Sequence, residues 1–213
     1  MNHKVHVLPK NFYQSTDVVD LAKQLLGTII TTEISSKITT GIIVETEAYR
    51  GPDDKGCHAY GGRFTDRTKT MYNTGGSVYV YICYGIHPMF NVVTGPEGDA
   101  HAILIRAIEP VSGIEIMQER RNLYSLKPEL TNGPGKLAVA LGISKEMDGS
   151  LLYENNQPVS IGKGTMMVEE KDIISGPRVG MSVHVGTCAH RPWRFYIKDN
   201  PWVSKPLVVN YKW

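Results

Sequence analysis

The chain has 213 residues, 41% of them hydrophobic, with 23 Lys+Arg against 21 Asp+Glu and a net charge of +2. That length can bury a substantial core as one domain, and the near-neutral balance does not by itself announce a nucleic-acid binder, leaving such a signal to local clusters. Cys57, Cys83 and Cys188 are too few and too scattered for a disulfide framework or a CxxC metal site, which fits a reducing cytoplasm. The opening "MNHKVHVLPKNFYQS" has no apolar signal core, and no run approaches the roughly 18 apolar residues of a membrane span, so a cytoplasmic, unprocessed chain is expected.

Residues 1–14 read as an N-terminal arm. In "STDVVDLAKQLLG", Ser15 or Thr16 is placed to cap an amphipathic helix that Gly27 stops. "TIITTEISSKITTGIIVETEAY" then predicts two β-rich strands around a Ser35-Ser36 turn. Strict alternation along the second puts Ile43, Glu45, Glu47 and Tyr49 on one face and Val44, Thr46 and Ala48 on the other. Two carboxylates and a phenol thus leave the sheet together. Such a pair is either a solvated strand edge or a rigidly held general base.

From Gly51 to Thr70 the pattern is that of a loop, with His58 in the glycine-rich "DDKGCHAYGG" and the basic residues Arg63, Arg67 and Lys69. A loop histidine of this kind is either a surface hydrogen-bonder or a ligand contact. "VYVYICYGIHPMFNVV" predicts a hairpin in which Tyr79, Tyr81 and Cys83 share a face. Its tyrosines either pack an outer sheet face or, with Tyr49 and His58, sandwich a planar, preferably cationic ligand. Tyr84 stands where the strand must turn at Gly85, so it projects from the tip beside Ile86 and His87, and Pro88 limits the pairing on the return. Apolar residues at a rigid tip suit insertion into a base stack, a partner groove or a lipid interface. The neighbouring cations favour a phosphate-bearing target.

"HAILIRAIEP" is a strand whose Arg106 either snorkels or pairs with a buried carboxylate, which would hold Glu45 or Glu47 as a ready base. "VSGIEIMQERRN" and "GPGKLAVALGI" predict helices, and "WRFYI" a late strand. The elements do not alternate as βαβ units. The expected fold is therefore α+β: residues 1–213 as a single compact domain, a mixed, mostly antiparallel sheet with surrounding helices and a protruding hairpin. Seven histidines without HExxH-like spacing give no reason to expect a metal.

The blocks "VETEAYRGPDDKGCHAYGGRFTDRT", "GGSVYVYICYGIHPMFNVVT", "ILIRAIEP", "NGPGKLAVALGI", "GPRVG" and "PWRFYIKDNPWVS" together resemble the alkyladenine (3-methyladenine) DNA glycosylase family, in the same order and from about Leu21 to Ser204. The resemblance implies an enzyme without metal or cofactor, whose partner is double-stranded DNA holding damaged purines; a monomer is the default expectation. It would act at the nucleoid, flip the lesion and hydrolyse its N-glycosidic bond. Matched residue by residue, Glu47 falls on the general base, and Arg106 and the carbonyl of Val179 fall on groups that hold the attacking water. Tyr49, His58 and Tyr81 fall on the walls of the base pocket, and Asn91 on the residue that helps exclude the guanine amine. Tyr84 falls on the side chain that wedges into the duplex. Arg50, Cys57, Ile86 and His87 depart from the family pattern around these positions. Ile86, His87, Arg63 and Lys136 are further DNA-contact candidates, the last two against the alternative of ordinary solvated charges. The competing function is a non-catalytic lesion binder, which would need no water-holding set; a metal-dependent hydrolase using Glu45, Glu47 and histidines is a third.

Overall fold

A computed structural model describes residues 6–164 and 166–204. Its centre is an antiparallel sheet of β1 (Ile29–Ile34), β2 (Lys37–Tyr49), β3 (Val78–Cys83), β4 (His87–Thr94), β5 (His101–Ser112), β6 (Val159–Gly162), β7 (Ile173–Gly176) and β8 (Arg194–Ile197). The order is β3-β4-β5-β2-β1-β6, and where β1 ends, β8 takes over the same edge of β2 and carries β7 outside it. The α+β expectation is met.

β2 and β5 are the longest strands because both are buried along most of their length, and long apolar β-branched runs are stable only when covered. Ser35 and Ser36 adopt left-handed φ values of 50° and 61°, giving the tight turn between β1 and β2. Among the described residues three α-helices close over the sheet: α1 (Val18–Gln24), α2 (Ile114–Arg121) and α3 (Pro134–Leu141). Leu21 and Ala22 of α1 and Leu137, Ala138 and Leu141 of α3 enter one core with Ile43, Val80, Phe90 and Ile105. Each large side chain so buried contributes roughly 1.5–3 kcal/mol.

Two local expectations need correction. The cap of α1 is Asp17, whose carboxylate accepts the Asp20 N–H at 3.0 Å, while Ser15 Oγ accepts from Asp17 N–H one step earlier. Asp17 prevails because its carboxylate adds charge stabilisation at the helix N-terminus. Alternation also fails once in β2. Opposite β5, Ile43 pairs with Ile108 and Glu45 with Ala107, so Val44 is an extra residue, and Ile43 and Val44 both join the main core. Within the expected N-terminal arm, residues 1–5 lie outside the described residues, and Leu8 and Tyr13 are buried in the core.

The hairpin β3–β4 stands at one end of the sheet, leaving the outer edge of β3 without a strand partner. Side chains and loop backbone fill that role: Asp148 accepts the Val80 N–H at 2.9 Å, Lys145 Nζ donates to the Val80 carbonyl at 2.6 Å, and residues 149 and 150 bond both backbone groups of Val78. Thr70 of the long loop donates to the same Asp148 at 2.9 Å.

Candidate active site

The chemistry-bearing side chains meet where β2 and β5 slip in register. After the extra Val44 in β2, Arg106 is the extra residue in β5, since Glu45 faces Ala107 and Thr46 already faces Ile105. Bulges of this kind re-aim side chains beside functional sites. Here they turn a buried arginine towards two buried glutamates. Neither carboxylate is a solvated edge residue, for both are 0% exposed.

The two glutamates are held differently. Glu45 Oε1 accepts from Arg106 Nε (2.8 Å), Arg194 Nε (2.7 Å) and Ser204 Oγ (2.8 Å), and its Oε2 accepts from the Ser204 N–H (2.7 Å). It is saturated, and it does not border the cavity. Glu47 does. Its Oε1 accepts the Val179 N–H at 2.7 Å and lies 3.3 Å from Arg106 Nη1, and its Oε2 accepts the Tyr49 hydroxyl at 2.8 Å. Three donors on an acceptor-only group fix its geometry. It is the Val179 amide that touches Glu47, one atom group away from the carbonyl picked out by the resemblance.

Glu47 lies at one end of a cavity of about 360 Å³ whose other walls are mostly aromatic and sulfur-bearing. Tyr49 stands on one side; burial first, and Glu47 second, push its phenol well above the usual range. Behind it Arg178 places its guanidinium carbon 4.6 Å from the ring centroid. Arg178 is buried and bidentate to the buried Asp54, and it also donates to the carbonyls of Ala48 and Cys188. This pair ties the loop before His58 to the end of β2 and to the segment that delivers Val179. On another side His58 meets Tyr81 edge to face at 4.7 Å and contacts the Tyr79 hydroxyl through Nδ1 at 3.0 Å. Burial pushes the Tyr81 phenol up to about 12, so it stays protonated.

Asn91, on β4 beside β3 and β5, donates both amide hydrogens to backbone, to Tyr79 O and Met89 O at 3.1 Å each. Its oxygen is thereby the atom offered to the cavity that Asn91 lines. Tyr84 borders the mouth and is 92% exposed, held at φ 51° by the turn with Gly85 at φ 75°. Ile86 and His87 are exposed on the same tip. His87 packs over the start of α3, where a Cβ on Gly135 would stand 3.3 Å from it.

Glu47, Arg106, Val179, Tyr49, His58, Tyr81, Asn91 and Tyr84 thus all border one cavity. Ile86, His87, Arg63 and Lys136 do not. Arg63 is exposed, and its charge reaches His58; Lys136 bonds Asn132 Oδ1 at 2.8 Å in the first turn of α3. Asp54, Arg178, Arg194 and Ser204 were not singled out by sequence, although "PDDKG" and "PRVG" carry the first two. Among the described residues no three His, Cys, Asp or Glu side chains come together as metal ligands, and no helix is long and apolar enough to cross a membrane.

A family model for "Methylpurine-DNA glycosylase (MPG)" matches residues 11–201. A protein of Chlamydia felis named "Putative 3-methyladenine DNA glycosylase" is 46% identical over 195 residues, covering 90% of this chain and 96% of its own length. Proteins of the same name from Bacillus cereus strain AH187 and Chlamydia pneumoniae are 42% and 46% identical, covering 92% and 90% of this chain and 98% and 95% of their own lengths. These matches favour an enzyme over the non-catalytic lesion binder, and they span the strands that carry Glu47 and Arg106 and the loop that carries Val179. The chain belongs to the methylpurine-DNA glycosylase family and is a DNA glycosylase.

Proposed function

We propose that the enzyme flips alkylated purines such as 3-methyladenine out of duplex DNA and hydrolyses the N-glycosidic bond with a water activated by Glu47. The observation that carries this is the fixed carboxylate of Glu47 facing an aromatic-walled cavity large enough to admit a purine. In the reaction the water oxygen bonds to the sugar C1′, the bond electrons leave with the base, and the water proton passes to Glu47, leaving an abasic site. The same carboxylate stabilises the oxocarbenium-like charge on the sugar, and Arg106 and the Val179 carbonyl hold the water. An alkylated purine is already cationic and leaves without an acid. It is also the ligand that electron-rich faces prefer, which supports Tyr49, His58 and Tyr81 as its walls.

Asn91 lines the cavity, and we assign its side chain the steric exclusion of bases that carry guanine's exocyclic amine. Tyr84 replaces the flipped base in the stack, with Ile86 and His87 beside it and Arg63 and Lys136 on flanking phosphates. Among the described residues no lysine borders the cavity to form a Schiff base, so we expect the strand to be left uncut and one molecule to act alone. The test is an oligonucleotide holding one methylated adenine, with alkali used to cut abasic sites. The reading requires cleavage by the native protein and at least about a hundredfold slower cleavage by Glu47→Gln; equal cleavage by both sinks the mechanism.

A further inference from the structure

One wall of the cavity is held from behind by a residue that does not border it. Arg67, exposed in the loop before Thr68, directs a guanidinium nitrogen at His58 Nε2, 3.3 Å away, and lies over the Tyr81 ring at 5.0 Å from its centroid. Its charge also acts on the Tyr79 hydroxyl, to which it hydrogen-bonds. A guanidinium has donors only, so Nε2 must accept and carry no hydrogen. The hydrogen of the ring is then on Nδ1, which donates to the Tyr79 hydroxyl. A second proton would have to go on Nε2, setting N–H against N–H. Burial, then Arg67, then Arg63 hold His58 down to about 4, and no carboxylate acts against them. The groups facing the ring are therefore Arg67 and Arg63 from the loop and Tyr79 and Tyr81 from β3.

We propose that Arg67 is a positioning residue that locks His58 as the neutral imidazole with its hydrogen on Nδ1, so that the wall meeting the base carries no positive charge of its own. This rests on the reading that the base arrives as a cation between Tyr49 and the His58–Tyr81 wall. An imidazolium there would repel it at contact distance in a part-buried site. The charge of Arg67 stays at the exposed rim, where water and salt screen it.

The test uses the full chain as Arg67→Ala and Arg67→Gln. In DNA-free protein, proton–nitrogen NMR of the His58 ring reports which nitrogen is bare and where the ring titrates. In Arg67→Ala the titration moves up towards the ordinary histidine range and the two tautomers mix. Arg67→Gln keeps a donor without the charge and falls between. For a duplex holding a cationic methylpurine, the ratio of kcat/KM at about pH 5.5 to that at about pH 7.5 falls by about threefold or more in Arg67→Ala relative to native, with less change for Arg67→Gln. For a hypoxanthine duplex, whose base is neutral, the ratio moves less.

An unchanged His58 titration and tautomer in Arg67→Ala overturns the proposal. So does a loss of DNA affinity that weakens with salt while the ring signals stay native, which would make Arg67 a phosphate contact. If the native protein releases no base, the glycosylase mechanism fails, and the ring titration still decides the tautomer lock. If Arg67→Ala does not fold, the His58 signals of Arg67→Gln carry the decision.

Discussion

Two residues apart on β2, Glu45 and Glu47 divide the work of the site, and paired isosteric variants separate their shares. Glu45→Gln removes the one negative charge that faces both Arg106 Nε and Arg194 Nε, and turns an amide N–H towards donors. Breaking a buried pair by removing one partner costs about 3–5 kcal/mol, against a total stability of about 5–15 kcal/mol. At about 2–4 °C per kcal/mol for a chain of this size, the melting temperature should fall by about 6–20 °C. Glu47→Gln is milder to the fold. The amide oxygen still accepts from Val179, the Tyr49 hydroxyl can accept from the amide nitrogen, and Arg106 keeps Glu45. Its melting point should stay within about 4 °C of native, while base release falls by about 10²–10⁴ if Glu47 is the general base proposed above. Calorimetry and single-turnover kinetics, run below the melting point of Glu45→Gln, give both numbers. The reasoning is refuted if Glu45→Gln melts like the native protein and is as inactive as Glu47→Gln.

Other expectations follow from the same geometry. Tyr84→Ala should lose about tenfold more activity on duplex than on single-stranded DNA, since only the duplex demands unstacking; equal losses in the two assays contradict a wedge. Arg178→Lys keeps the charge but loses the bidentate contact with Asp54 and the face on Tyr49, so kcat should fall by about tenfold or more with little change in DNA affinity; gel-shift and single-turnover measurements separate the two. Burial pushes the Cys57 thiol up to about 12, so at pH 8 only about one in 10⁴ is thiolate. Mass spectrometry after iodoacetamide should find Cys57 unmodified while the half-buried Cys83 reacts; prompt labelling of Cys57 would contradict its environment.

The parts of the site that were legible are those written in local pattern. Alternation gave the hairpin faces and the exit of Tyr84, and an arginine inside an apolar strand offered a buried counter-charge as one of two readings. What alternation could not give was its own interruption. Nothing in "GIIVETEAY" or "ILIRAIEP" marks Val44 or Arg106 as the unpaired residue, because a bulge is chosen by how two strands fit, not by either one alone. The same limit hid Asp54 with Arg178, 124 positions apart, and Glu45 with Ser204, 159 apart. Such pairs become visible only once the sheet has brought distant segments together. The helix cap was a nearer miss, since Ser15, Thr16 and Asp17 are all good caps in one run and the competition is settled by charge at the helix end.

The bracket that Lys145 and Asp148 close around Val80 also bears on how this chain behaves in a crowded cell. A hairpin meant to reach into another molecule has to stand at the border of its sheet, and a bare border strand invites the same segment of a neighbouring copy to zip alongside. By meeting the Val80 N–H and C=O with side chains of opposite charge, the chain leaves no free backbone pair there for a stranger to bond. Replacing both residues should therefore cost solubility before it costs catalysis, because the bared border would begin to pair with copies of its own kind.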